Sequence, residues 1–218
     1  MPLGLPTEPQ RDCARCPRLA AFRATWRAAE PTWFNAPVPI FEPQDRDRPA
    51  RLLVVGLAPG LRGANRTGRP FTGDYAGDLL YATLNTFGFA TGTYEARPDD
   101  GLTLIETRII NAVRCVPPEN KPNTAEIRSC RDFLRPAVRD APGLKAVVTL
   151  GKIAHDSTVA ALGARPAHHP FGHGARSRIG HLEVFSSYHC SRYNTNTRVL
   201  TPDMFHAVFR AVRDYLEE

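Results

Sequence analysis

The 218-residue chain reads as an α/β protein: a three-layer α/β/α sandwich around a mostly parallel, four-stranded central sheet, folded as one domain over residues 1–218. Three observations predict it. Apolar, β-branched runs of strand length recur along the chain, stretches with helical apolar spacing lie between them, and no internal repeat or shift of composition marks a boundary. Strands that alternate with helices pair in parallel, because each crossover helix returns the chain to the same end of the sheet and covers one of its faces.

Each element follows in order. RLLVVG (51–56) is the first strand, approached through the proline-rich NAPVPIFEPQDRDRP (35–49). A helix over 75–87 places Leu79, Leu80 and Leu84 on one face. TRIINAVRC (107–115) is the second strand, and the next helix, 124–140, opens on Thr124 as N-cap with Glu126 and Ile127 following. KAVVTLG (145–151) and HLEVFSSY (181–188) are the third and fourth strands, separated by a helix over 152–162. PDMFHAVFRAVRDYLEE closes the chain as a helix with Pro202 in its first turn.

Composition narrows the class. With 42% hydrophobic residues and charges of both signs spread along it, the chain has the material for a packed core. No apolar stretch approaches the roughly 20 residues of a membrane span. The N-terminus MPLGLPTEPQRDCARC lacks the apolar core of a secretion signal, so the expectation is a cytoplasmic protein without a membrane partner. The net charge of +6 favours an anionic partner. All but Lys121, Lys145 and Lys152 of the 28 basic residues are arginine, whose fork matches phosphate oxygens. A G+C-rich genome writes arginine for its own reasons, so charge leans towards nucleic acid without deciding it.

Open α/β sheets bind ligands outside the carboxyl ends of their strands. Three polar loops leave such ends here: GLAPGLRGANRTGRPFTGD (56–74), RCVPPENKPN (114–123) and HCSRYNTNTR (189–198). The first is rich in glycine, which allows positive φ and close approach of backbone to a ligand. It is not a phosphate-binding P-loop, which ends in Gly-Lys-Ser/Thr, because no lysine precedes Lys121. It is a poor dinucleotide fingerprint as well, since Pro59 and Pro70 interrupt it and the helix waits until about Tyr75.

The cysteines are an independent signal. Cys13 and Cys16 form C-x-x-C, Cys115 and Cys130 are separated by fourteen residues, and Cys190 stands alone. In a cytosolic chain four such thiols point to a metal rather than to disulfides, and their number alone does not separate structural zinc from a [4Fe–4S] cluster. Cys190 reads as a buried free thiol.

The ordered set of Cys13-x2-Cys16, GLAPG, TGRPFTGD, NAVRCVPPENKPN with Cys115 and Cys130, and HCSRYN resembles the iron–sulfur uracil-DNA glycosylases, from Cys13 to about Asn194. The resemblance implies that Cys13, Cys16, Cys115 and Cys130 carry a structural [4Fe–4S] cluster, which ties the N-terminal segment to the sheet. The better-known iron–sulfur branch has an acidic residue directly after the first glycine, as GEAPG; Leu57 stands there instead. That departure resembles the broad-specificity branch called family five. It implies a monofunctional glycosylase that flips uracil, and other deaminated bases such as hypoxanthine, out of double-stranded DNA, leaving an abasic site. The chain is expected to act as a monomer.

Such a reaction puts positive charge on the sugar and negative charge on the leaving base, so it needs donors for the base, a face to stack on it and an oriented water. His189 is the candidate donor to the base, Phe71 the stacking ring, and Asn111 the amide for the edge of a flipped uracil. Gly56, Leu57 and Ala58, with the neighbouring backbone N–H groups, complete the cradle. Asp74 is the nearest carboxylate for the water, though it also sits where an N-cap would. Asn120 is an equal candidate for the active-site amide. For DNA, the position of the family's wedge leucine falls on Tyr193, with Arg192 and Asn194 beside it. Ser191 and the loop backbone at Gly60 and Gly63 are placed to grip flanking phosphates. The stretch ARPAHHPFGHGARSR (164–178) reads as a basic loop flanking DNA rather than a metal site. An iron–sulfur redox protein would explain the cysteines but not the glycine-rich loop or the histidine motif. A DNA-binding module without catalysis would explain the charge but not the polar loops that converge at the strand ends.

Overall fold

The computed structural model describes residues 8–45 and 47–218; residues 1–7 and Arg46, the latter in the proline-rich approach to the first strand, lie outside them. Five strands, β1 (Leu52–Gly56), β4 (Thr107–Asn111), β5 (Ala146–Leu150), β6 (Arg176–Ile179) and β7 (Leu182–Ser187), form one sheet in the order β4-β1-β5-β7-β6. All pairs are parallel except β6 with β7. β2 (Ala90–Thr91) and β3 (Thr103–Leu104) form a separate two-stranded ribbon.

The main sheet therefore has five strands, one more than expected. The extra strand comes from the stretch read as a basic loop: β6 hydrogen-bonds along β7, and Arg176 Nε reaches Glu183 Oε1 at 2.8 Å. A four-residue edge strand with the pattern RSRI carries too little apolar signal to be seen alone.

Period-two alternation distributes the core. Leu52, Val54, Ile109 and Val148 face Leu80 and Leu84 of α3 (Tyr75–Thr86) and Phe205, Phe209 and Val212 of α7 (Pro202–Glu217). Leu53, Val55, Ile110 and Val147 face Leu134 and Val138 of α4 (Thr124–Arg139) and Ala154 and Val159 of α5 (Lys152–Ala161). Both faces of the sheet are thus covered, as the three-layer reading requires. No helix among the described residues is long and apolar enough to cross a membrane.

The cap of α4 falls one residue before Thr124. Asn123 accepts from Glu126 N at 2.9 Å while Glu126 Oε2 accepts from Asn123 N at 2.8 Å. The reciprocal box needs a three-residue spacing, and only Asn123 has it to Glu126. The helix α1 (Pro17–Ala29), absent from the sequence expectation, opens with Pro17 at its first turn and docks through Arg18, whose Nε and Nη2 both reach the Glu126 carboxylate at 2.8 Å. A third core cluster joins α1 to α4 through Leu19, Val113, Cys115, Cys130 and Phe133.

Candidate active site

The chain leaves β1, returns in β4 on one side and later in β5 on the other, so the sheet order reverses direction beside β1 and opens a crevice at its carboxyl end. A cleft of about 520 Å³ occupies this place. Register puts Gly56 opposite Asn111, so the glycine-rich loop and the second polar loop start side by side although 55 residues separate them.

The glycines answer to what lies against them. A Cβ on Gly56 would stand 2.5 Å from Cζ of Phe71 and would collide with the Asn111 amide oxygen. A Cβ on Gly60 would come within 2.9 Å of Asp74 Oδ2, and one on Gly63 would strike the same carboxylate. The bare backbone thus makes room for three protein side chains that face the cleft. Ala58 and Gly60 spend their N–H groups on no backbone carbonyl among the described residues, and both line the cleft.

Asp74 has the extended backbone of an N-cap to α3, yet its side chain makes no capping hydrogen bond. Its Oδ1 is buried without a partner, and burial raises its carboxyl pKa above the ordinary value. A carboxylate at the cleft with one buried oxygen left unspent is available for chemistry. His189 follows β7 and packs its ring 5.9 Å from that of Phe71, tilted by 28°. Burial holds its pKa down to about 4, so the imidazole is neutral near pH 7 and one ring nitrogen carries a proton to donate. Phe71 itself has φ +53°, the left-handed region that an aromatic residue rarely enters. Asn111 is 3% exposed and its amide has no hydrogen-bond partner among the described residues. Asn120 stands at the rim, exposed, on a turn where Glu119 and Asn120 both have positive φ.

The expected DNA-facing residues divide. Tyr193, on the short helix α6 (Arg192–Asn196), is 74% exposed, and Arg192 is exposed with its guanidinium 5.3 Å over the Tyr75 ring at the cleft mouth. Ser191 lines the cleft, and its hydroxyl caps α6 by accepting from Asn194 N at 3.4 Å. Asn194 turns its amide inward, donating to the His189 carbonyl at 2.8 Å, and so fixes the end of β7. Gly63 is buried behind Asp74 rather than at the surface. Sequence reasoning passed over Tyr75, Arg62 and Arg66. Tyr75 lines the cleft and is 37% exposed, and the two arginines are exposed around the four-residue helix α2 (Ala64–Thr67). Their signal was present as an arginine pair inside the glycine-rich loop.

Cys13, Cys16, Cys115 and Cys130 line one small pocket behind this loop, and Ala58 packs against the same cluster. Arg114 N donates to Cys130 Sγ at 3.2 Å, and Arg23 Nη1 donates to Cys115 Sγ at the same distance. Arg23 is 4% exposed, its Nε has no partner, and no carboxylate pairs with it among the described residues. Among those residues no three His, Cys, Asp or Glu side chains are gathered to hold a single metal ion. Cys190 is fully buried elsewhere, its Sγ 3.4 Å from the Ala76 carbonyl.

A mostly parallel sheet covered on both faces, with a cleft at its carboxyl edge that sets an aromatic ring beside a neutral imidazole and a carboxylate with one unpartnered oxygen, defines an α/β enzyme with a site for a flat, polar group. Comparison with known proteins makes the class specific. Residues 43–213 match the family described as "Uracil DNA glycosylase superfamily", and the chain belongs to it. Among curated proteins it is 43% identical to a type-5 uracil-DNA glycosylase of Thermus thermophilus, over 88% of this chain and 89% of that one. It is 37% identical to a type-5 uracil-DNA glycosylase of Pyrobaculum aerophilum over 91% and 87% of the two chains, and 38% identical to one of Mycobacterium bovis over 92% and 77%.

Proposed function

We propose that this protein is a uracil-DNA glycosylase of base excision repair. It flips uracil out of double-stranded DNA and hydrolyses the N-glycosidic bond, leaving an abasic site. The observation that carries the reading is the buried, unpartnered Oδ1 of Asp74 in the same cleft as His189, whose ring burial keeps neutral.

The flipped base stacks on Phe71 and presents its Watson–Crick edge to the Asn111 amide. As the C1′–N1 bond breaks, its electron pair moves onto uracil, and His189 and the N–H groups of Ala58 and Gly60 donate to the oxygen that gains charge. Water attacks C1′, forms the new C–O bond and gives its proton to Asp74, with Asn120 at the rim to orient it. Leu57 offers no side-chain polar group that would demand one base shape, so hypoxanthine and other deaminated bases are also substrates. Incubation with uracil-containing duplex should produce alkali-labile abasic sites. A duplex left intact overturns the proposal, and is the result that a redox protein or a mere DNA-binding module would give.

Cys13, Cys16, Cys115 and Cys130, which line one pocket, would hold a [4Fe–4S] cluster. Buried Arg23 lacks a carboxylate and directs its guanidinium at a sulfur, which suits a site that carries negative charge. A cluster takes one thiolate at each of four iron corners, and so needs the thiols around one pocket rather than gathered on one ion. Bound there, it would supply a cross-link between the N-terminal segment, the end of β4 and α4. The purified protein should be brown with the broad visible absorption of an iron–sulfur centre. Cys130→Ala should lose the colour and lower Tm, while Cys190→Ala should keep the colour; a colourless protein with stoichiometric zinc would contradict the assignment.

Tyr193 holds the gap left by the flipped base. Tyr193→Ala should slow excision of uracil opposite adenine more than opposite guanine, because flipping costs least from a mismatch and the stable pair costs more to open. Equal losses on both duplexes, in parallel single-turnover assays, would remove the wedge role.

A further inference from the structure

Phe71 keeps its left-handed backbone because something outside the cleft holds it there. A residue in a sparsely populated region costs on the order of 1–3 kcal/mol and persists only where its surroundings over-determine it. The surroundings here converge on one hydroxyl. Tyr94 Oη donates to the Phe71 carbonyl at 3.1 Å and accepts from Gly73 N at 3.2 Å, so a single oxygen spans the turn that joins Phe71 to Asp74. Tyr81 Oη donates to the preceding carbonyl, that of Pro70, at 2.5 Å, and its ring lies 4.7 Å from that of Tyr94.

The source of Tyr94 is itself fixed. Arg69 lies beneath both tyrosine rings, 5.4 Å from that of Tyr81 and 5.8 Å from that of Tyr94. Its guanidinium makes a buried two-pronged pair with Asp100 at 2.8 and 2.6 Å, and its Nε donates to Thr72 Oγ1 at 2.7 Å. Asp100 in turn accepts from Glu95 N at 3.0 Å and Leu102 N at 3.1 Å. The segment 94–102 and the turn 69–73 are thereby locked to one another, and neither Tyr94 nor Asp100 lines the cleft.

We propose that Tyr94 is a positioning residue for base excision: its hydroxyl sets the stacking ring of Phe71 and the carboxylate of Asp74 in working register, without touching the substrate. The inference rests on the glycosylase reading of the cleft. Misplacement of reacting groups by about an ångström is costly in rate, up to roughly a hundredfold, and cheap in ground-state affinity.

Tyr94→Phe keeps the ring and its packing and removes only the hydroxyl. Single-turnover excision of uracil should fall about ten- to hundredfold. Affinity for a duplex carrying 2′-fluoro-2′-deoxyuridine, whose electron-poor sugar resists cleavage, should stay at the wild-type value. Because the hydroxyl acts through Asp74 and Phe71, adding Tyr94→Phe to Asp74→Asn or Phe71→Ala should cost much less than it does alone. Wild-type rate in Tyr94→Phe, full additivity in the double variants, or a large drop in Tm that by itself accounts for the lost activity would each overturn the inference. If the wild type leaves uracil duplex intact, the reading of the cleft has failed. If the wild type cleaves, Asp74→Asn is slow and Tyr94→Phe is fast, only the role of Tyr94 has failed.

Discussion

Replacing His189 with alanine is expected to slow single-turnover uracil excision by about 10²–10³-fold, the usual cost of one preorganised donor, while leaving affinity for the duplex unchanged. The expectation follows from the state of the ring. Burial pulls its pKa down to about 4, below the ordinary value of 6.5, so the donor is a neutral imidazole through the neutral range. A neutral N–H interacts weakly with an uncharged base in the ground state and strongly with the departing anion, which places its effect on rate rather than on binding. Wild-type activity should accordingly show no protonation limb near pH 6.5. A His189→Ala variant that cleaves as fast as the wild type would overturn the assignment of the whole cleft.

The second large effect is expected at Asp74. Asp74→Asn should lower the single-turnover rate by about 10²–10⁴-fold, the typical contribution of a positioned acid or base, again without loss of DNA affinity. The carboxyl must be ionised to accept the water's proton. Its pKa is raised above 3.8 by burial, so wild-type activity should fall on the acid side at a higher pH than an ordinary aspartate would dictate. That limb should be absent from Asp74→Asn. The sign for stability is the opposite of that for activity. A carboxyl whose folded-state pKa exceeds its unfolded value stabilises the fold fully below the unfolded pKa, and loses that contribution as pH rises through the folded value. At pH 7 the charged, desolvated group is therefore a burden on the folded state, and Asp74→Asn should melt at a higher temperature than the wild type, with the gain shrinking as pH falls towards 4. A variant that is both less stable at pH 7 and equally active would show Asp74 to be a helix cap; rates near wild type would move the water to Asn120.

Most strands and the long helices were legible in the sequence because their apolar patterns extend over five or more residues: β1, β4, β5 and β7 fall inside the runs expected for them, and α3, α5 and α7 begin at the expected residue. Short elements were not. The edge strand β6 has only Ile179 buried, and α1 carries just Leu19 and Arg23 inward, so neither offers a periodic signal. The cap at Asn123 was misplaced by one because three neighbouring residues, Asn123, Thr124 and Glu126, all suit a helix start, and only the closed geometry of the box selects among them.

By itself the sequence pointed to most of the polar side chains that line the cleft, Asp74, Asn111, Asn120, His189, Ser191 and Arg192, though not to Tyr75. Residue types carry that information, since a thiol, an imidazole or a bare glycine backbone has its chemistry before it has a place. It determined too that the three polar loops leave the same edge, because alternation of strand and helix forces a parallel sheet. Tertiary structure alone decided what each residue is free to do. Asp74 occupies a cap position in the chain but is pressed between Gly60 and Gly63 with an oxygen left unpaired; Asn194 stands in the DNA-facing motif but spends its amide on the His189 carbonyl; Tyr94, unmarked in the sequence, holds the turn on which Phe71 and Asp74 depend. Local pattern reports how a residue's own segment folds, whereas burial, hydrogen-bond partners and pKa are set by residues outside that segment, from 5 positions away for Asn194 and His189 to 23 for Tyr94 and Phe71, which meet only when the sheet and its covering layers close.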